Sequence, residues 1–301
     1  MSTSSDPRDR ERNAHRRSAD DRSRDGSRYD SGYRSGRTLF IWIAGTVSLM
    51  VVLAFVLAWV DSKMLNDINA FRSVGLTDLP RNNANPGELL SFAADQGFQC
   101  DTAQDLAAGT GDCRRVLEIA RTVNDYHSDQ SLVWSFVVLS VITLLVSFTM
   151  FIHQASSNLR HLRAEGQHFT PGWAVGWFFI PIMNFVQPSR VVRELVQASG
   201  SSETADPRAW QNVSSPDAPL VSTWWTMVVA AVLFGPRGIS LFVTRGDIDD
   251  WAAAGRLLVW SDLFQVIPLV MTVIVVYRIQ RAQEVRHLLV QGRQTRAAKN
   301  S

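Results

Sequence analysis

The chain has 301 residues and a mass of 33.6 kDa, is 46% hydrophobic, has a formal net charge of +2 and contains two cysteines. A mean hydropathy near zero is an average over unlike segments: residues 1–37 hold almost nothing apolar, whereas residues 39–60 hold no charge, so the chain is read segment by segment.

Residues 1–37 alternate Arg, Asp and Ser and cannot bury enough surface to offset their ordering entropy, which predicts a disordered tail. Asp6, Asp9, Asp20, Asp21, Asp25 and Asp30 interleave with the arginines and cancel most of the field, so no nucleic acid is expected as a partner. Arg34 and Arg37 lie beside the first apolar run, where each gains about 1 kcal/mol from an anionic lipid leaflet.

A bilayer core takes roughly 20 apolar residues as a helix. Runs of that length predict four transmembrane helices, at 38–60, 132–153, 219–244 and 256–278. The first is not a cleavable leader, whose apolar core is roughly 7–15 residues and precedes a small-residue site. It is longer and ends in Trp59, Val60 and Asp61.

Charge sets the orientation. Residues 61–131 are rich in acids, including Asp61, Asp67, Asp78, Asp95, Asp105 and Asp125, whereas in residues 279–301 Arg281, Arg286, Arg293, Arg296 and Lys299 face Glu284 alone. Cytoplasmic flanks collect Lys and Arg. The expectation is therefore an extracytoplasmic acidic domain at 61–131, a basic cytoplasmic tail at 279–301 and both termini inside a plasma membrane. Tryptophans at both ends of the first span (Trp42, Trp59), near the outer end of the second (Trp134), near the inner end of the third (Trp224, Trp225) and beside the fourth (Trp260) fit as interfacial anchors.

Cys100 and Cys113 fall in the acidic domain. A pair of cysteines on the oxidising side of a membrane predicts a disulfide, and their spacing is not that of a C-x-x-C redox site. Just after them Val116, Ile119, Val123 and Tyr126 recur at helical spacing, which predicts an amphipathic helix leading into the second span.

Residues 170–195 are apolar but interrupted by Pro171, Pro181 and Pro188. Thr170 and Pro171 read as a helix start, the hydroxyl capping an orphan amide, and Pro181 then breaks the helix. A full crossing here would place the basic tail outside, so the segment belongs to an inner region, 154–218. Gly172 and Gly176 share a face that would admit a neighbouring helix, with Trp173 and Trp177 alongside. Ser189 to Gln197 reads as a further helix with an Arg190–Glu194 pair. The segment either lies in the inner interface or re-enters the bilayer.

Asn158, the element Pro171–Gly172–Trp173–Ala174–Val175, the element Ile180–Pro181–Ile182 with Asn184, then Pro188, Glu194 and the pair Trp224–Trp225 together resemble a bacterial, largely actinobacterial, membrane family known as domain of unknown function 4328. The resemblance covers roughly the second half of the chain. It implies a membrane-embedded helical domain and names no activity.

Within the spans, Arg237 and Asp262 lie at matched depths in the third and fourth helices, which predicts an intramembrane ion pair. No zincin, nucleophile-elbow, phosphate-loop or dinucleotide motif is present, and the histidines 153, 161 and 168 are not at metal-ligand spacing. The sequence therefore predicts an all-α integral membrane four-helix bundle with a proline-broken inner segment. Its expected role is that of a non-enzymatic envelope scaffold or sensor without cofactor or metal, with the lipid bilayer and a second copy or other membrane proteins as partners. The alternative is a small-solute channel or transporter built on residues 170–195.

Overall fold

A computed structural model describes residues 32–201, 206–212, 215–235 and 247–299, and every regular element among them is helical. In chain order these are α1 (Arg37–Ser73), α2 (Pro86–Asp95), α3 (Ala103–Ala108), α4 (Asp112–His161), α5 (Pro171–Gly176), a 3-10 turn at Met183–Phe185, α6 (Gln187–Gly200), a second 3-10 turn at Ala209–Asn212, α7 (Ala218–Leu233), α8 (Ile248–Phe264) and α9 (Val266–Lys299).

Three helical stretches are long and apolar enough to cross a membrane: Arg37–Ser73, Asp112–His161 and Ile248–Arg296. At 1.5 Å per residue α1 is about 55 Å long and α4 about 75 Å, well beyond the roughly 30 Å of a bilayer core. Both continue past the apolar runs that predict them. Nothing between Asp61 and Ser73 breaks a helix, and Met64 and Ile68 sit one turn apart on its buried face. The segment 112–161 likewise contains neither Gly nor Pro, so the predicted amphipathic helix and the predicted span are one element.

The last of the three stretches has a joint. Pro268 has no amide to donate to the carbonyl of residue 264, and α8 ends at Phe264 with Gln265 as its cap. The expected span at 219–244 is described only through 235. Its helix α7 has 16 residues, about 24 Å.

The chain divides into two compact units, one built from 44–145 and 226–271, the other from residues up to Ile43, 146–225 and 272 onward. The first has a hydrophobic core that gathers Met64 and Ile68 of α1, Leu89 and Phe92 of α2, Leu106 of α3, Val116, Ile119 and Val123 of α4, and Ile248 and Ala252 of α8. Local signals set its small helices. Asn85 accepts from the Glu88 amide while the Glu88 carboxylate accepts from the Asn85 amide, a capping box in front of Pro86. Thr102 caps α3, and Gly109 ends it in the left-handed conformation that glycine adopts without penalty.

In that core Cys100 and Cys113 are joined in a disulfide and buried. In the other unit the core holds Phe151, Ile152 and Leu159 of α4, Val191, Val192 and Leu195 of α6, Trp210, Val221 and Trp224, and Val276 and Ile279 of α9. Apolar side chains such as Ile41, Phe55, Leu132, Leu139, Met150 and Trp260 point outward, an apolar exterior of the kind lipid covers.

The disulfide closes a loop between residues 13 apart, for which chain entropy gives a stabilisation of about 3 kcal/mol. Replacing both cysteines by serine is therefore expected to lower the stability of the small-helix core by about that amount, measured by thermal unfolding in detergent with and without reductant. An unchanged transition would contradict a structural role for the bond.

Candidate functional site

The segment 279–299, expected as a basic tail, is helical. α9 continues through it to Lys299, with Ile279, Gln283, Arg286 and Val290 buried along one face. Arg286 is 1% exposed. Its Nε donates to the carbonyl of Leu162 at 2.8 Å, Nη2 to that of Arg163 at 3.1 Å, and Nη1 to those of Ala198 and Ser201 at 2.7 and 3.1 Å.

Those carbonyls are the ends of two helices. α4 finishes with Arg163 at φ 54° and the Ala164 amide bonded back to Leu159, a left-handed cap of the Schellman type. α6 finishes at Gly200. A helix C-terminus carries unsatisfied carbonyls and the negative end of the macrodipole, so one planar guanidinium satisfies acceptors on two helices at once.

One turn earlier Gln283 extends the same seam. Its amide nitrogen donates to Ala155 O at 2.9 Å and Ser199 Oγ at 3.2 Å, and its oxygen accepts from Asn158 Nδ2 at 3.1 Å. Asn158, 2% exposed, also clasps the backbone of Arg34: its Oδ1 accepts from the Arg34 amide at 3.1 Å and its Nδ2 donates to the Arg34 carbonyl at 2.8 Å. Gln154 donates to the same carbonyl at 2.9 Å.

The strand of chain leading into α1 is thus held by its backbone. Tyr33 stacks on His287 with ring centroids 4.2 Å apart, and burial, reinforced by the Glu284 carboxylate, pushes its hydroxyl up to about 12. Gly32 lies against His161, and any Cβ there would run into the imidazole ring.

The proline-broken stretch packs onto this assembly through aromatic rings. Thr170 caps α5 with Pro171 in its first turn, and Trp173 and Trp177 sit 5.2 Å apart, centroid to centroid. The chain then turns through Pro181, makes the 3-10 turn that includes Asn184, and enters α6 at Gln187 and Pro188.

Phe178 meets Phe148 and Trp225 edge-on at 5.7 and 6.1 Å, and Trp224 meets Phe148 and Trp225 at 5.8 and 5.4 Å. Trp225 donates to the Phe185 carbonyl and Trp224 to Thr272 Oγ1, each at 2.8 Å. Glu194 accepts from the amides of His168 and Phe169 at 3.0 and 3.5 Å and lies 3.3 Å from His168 Nδ1. Burial raises its carboxyl above the usual range, while the amides and His168 pull it back.

A second polar centre lies in the other unit. Asp61 of α1 and Asp262 of α8 are each 3% exposed. Asp61 Oδ1 accepts from the Tyr126 hydroxyl at 2.9 Å and from Gln130 Nε2 at 3.2 Å, both on α4, and Gln130 also donates to the Tyr126 oxygen at 2.8 Å. Asp262 Oδ2 has no hydrogen-bond partner.

Several expectations change. The expected Arg237–Asp262 pair falls outside the described residues, which do not include Arg237. Trp224 is a core residue at 2% exposure, anchored by its indole N–H to Thr272 and not by a membrane interface. The shared face of Gly172 and Gly176 receives no helix among the described residues: a Cβ at Gly172 meets open space, and one at Gly176 meets only the Trp173 ring. Ala174 is the buried residue of α5. Glu194 turns to the start of the broken segment and does not pair with Arg190 along the helix surface.

Gln283, Arg286 and Asp61 were missed. The spacing of Val276, Ile279, Gln283, Arg286 and Val290, three or four residues throughout, continues the apolar stripe beyond the span and is the signal that locates the first two.

Residues 122–281 match the family described as Domain of unknown function (DUF4328). The chain belongs to this family. No curated protein and no solved structure matches the chain. The DUF4328 region contains Asn158, the whole of 170–195, Trp224, Trp225 and Asp262. Arg34, Asp61, the disulfide, Gln283 and Arg286 lie outside it, so both polar centres join residues inside the matched region to residues beyond it.

Removing the Arg286 side chain leaves its four carbonyl acceptors without it in a buried site. Arg286→Ala is expected to cost about 3–5 kcal/mol, and Arg286→Lys to restore only part, because an ammonium lacks the planar fork. Thermal unfolding in detergent measures both. An Ala variant as stable as the parent would contradict the role assigned to the guanidinium.

Proposed function

We propose that this DUF4328 protein is a non-enzymatic bacterial plasma-membrane protein that senses or scaffolds through an extracytoplasmic domain at 61–131. Four spans, α7 belonging to the third, place both termini and the broken segment on the cytoplasmic side. The bilayer is its principal partner, and it self-associates or joins other membrane proteins. The observation that carries this reading is the continuity of α4: one helix of 50 residues begins beside the disulfide and ends at the Asn158 and Arg286 seam. The exposed Phe179, Ile182, Met183 and Phe185 of the broken segment suit burial in the inner lipid interface.

A second reading, a small-solute channel or transporter built on residues 170–195, is favoured by the buried and unpartnered Trp177 Nε1, Asn184 Oδ1 and Gln187 Oε1. Such orphans suit backbone and side chains that line a wet cavity.

Cysteine labelling addresses both. Gln167→Cys is expected to react with an impermeant maleimide only from the cytoplasmic side, and its rate to change by about fivefold or more when Cys100 and Cys113 are both replaced by serine. Labelling from outside would contradict the topology, and equal rates would contradict the sensor. Labelling of Asn184→Cys from the outer side would favour the channel.

A further inference from the structure

α6 is two-sided. Val191, Val192, Leu195 and Ala198 are buried, while Arg190, Arg193, Glu194 and Gln197 recur along the other face at spacings of three and four, which sets their side chains next to one another. With His168 and Trp210 they line an open cavity of about 420 Å³. Its walls are held by hydrogen bonds. Gln197 donates to the Trp210 carbonyl at 3.0 Å, the Trp210 indole donates to the Glu165 carbonyl at 2.8 Å, and Arg193 Nη2 donates to Ser222 Oγ at 2.7 Å.

The charges of this cavity do not cancel. Glu194, the one acid of the lining among the described residues, already accepts from the amides of His168 and Phe169 and lies 3.3 Å from His168 Nδ1. Arg190 and Arg193 are left without a carboxylate among the described residues. Paired guanidiniums present N–H donors in the planar arrangement that phosphate oxygens accept.

The chain just before α6 says what that phosphate is attached to. Ile182, Met183, Phe185 and Val186 are 81, 43, 51 and 49% exposed, an apolar knuckle for which a soluble anion has no use. At 1.5 Å per residue Arg190 and Arg193 stand about 6 and 10 Å beyond Val186. The polar layer of one leaflet is about 5–8 Å deep, so with the knuckle among acyl chains the two arginines stand at the level of the headgroup phosphates.

We propose that the cavity on α6 binds the phosphate of an anionic phospholipid, held by Arg190 and Arg193, with the acyl chains along Ile182, Met183 and Phe185. This rests on the reading that the broken segment lies in the lipid interface.

Native mass spectrometry of the full chain in detergent, titrated with phosphatidylglycerol or with phosphatidylcholine, whose choline cation offsets its phosphate, tests the site. The parent should hold phosphatidylglycerol about tenfold more tightly, and Arg190→Gln with Arg193→Gln should abolish the preference. Arg115→Gln with Arg121→Gln removes the same charge from the other unit and should leave the preference intact. A parent without preference, or equal loss in both double variants, would overturn the site, and displacement of the lipid by inorganic phosphate would overturn it in favour of a soluble anion. Should the first double variant fail to fold, Arg190→Gln alone, which breaks no bond to the described residues, must lower the preference about threefold or more, and an unchanged preference overturns the site equally. An environment-sensitive fluorophore on Ile182→Cys in nanodiscs separates the two readings: apolar emission without a lipid preference overturns the site alone, whereas aqueous emission overturns the interfacial placement and the site together.

Discussion

A guanidinium buried beneath the C-termini of two helices is the constraint on which one of the two units depends, the one holding 146–225 and the residues from 272 onward. Each helix end presents carbonyls that its own backbone cannot satisfy, and in a packed interior an unmet acceptor costs about 1–3 kcal/mol. Arg286 meets acceptors from both α4 and α6. Its position fixes where α9 must run and so brings Gln283 to Asn158 and Ser199. Asn158 then holds the chain that enters α1 by the backbone of Arg34, independent of that residue's side chain.

The other unit solves a different problem. Its small helices α2 and α3 supply few apolar side chains, and the core closes only with contributions from the extensions of α1, α4 and α8 and with the Cys100–Cys113 bond. The long helices, apolar and long enough to cross a membrane, are therefore scaffold for the small domain as well. Tyr126 and Gln130 of α4 bind Asp61 of α1 within this unit.

What could be read in the sequence follows from which interactions are local. Thr170 before Pro171, the breaks at Pro181 and Pro188, and the buried stripe Val116–Ile119–Val123 are decided within a few residues, and they appear as expected. The family likeness drew attention to Asn158 and the Trp224–Trp225 pair, whose partners lie far away in the chain. Gln283 and Arg286 escaped because a charged residue near the C-terminus reads as solvated and cytoplasmic by charge counting, although its apolar spacing said otherwise. Asp61 escaped for a similar reason: the charge that seemed to end the first span is buried and accepts from Tyr126 and Gln130. Trp224 shows the converse error, an aromatic at the predicted end of a span that belongs to the core.

The central claim is that residues 279–299 are an ordered part of the unit that also holds 146–225, pinned at Arg286. Hydrogen exchange of the intact protein in nanodiscs, followed by peptide mass spectrometry, tests it most directly. The account predicts that the amides of 279–290 exchange as slowly as those of 151–161 in α4. Exchange of 279–290 at the rate of an unstructured peptide would contradict it.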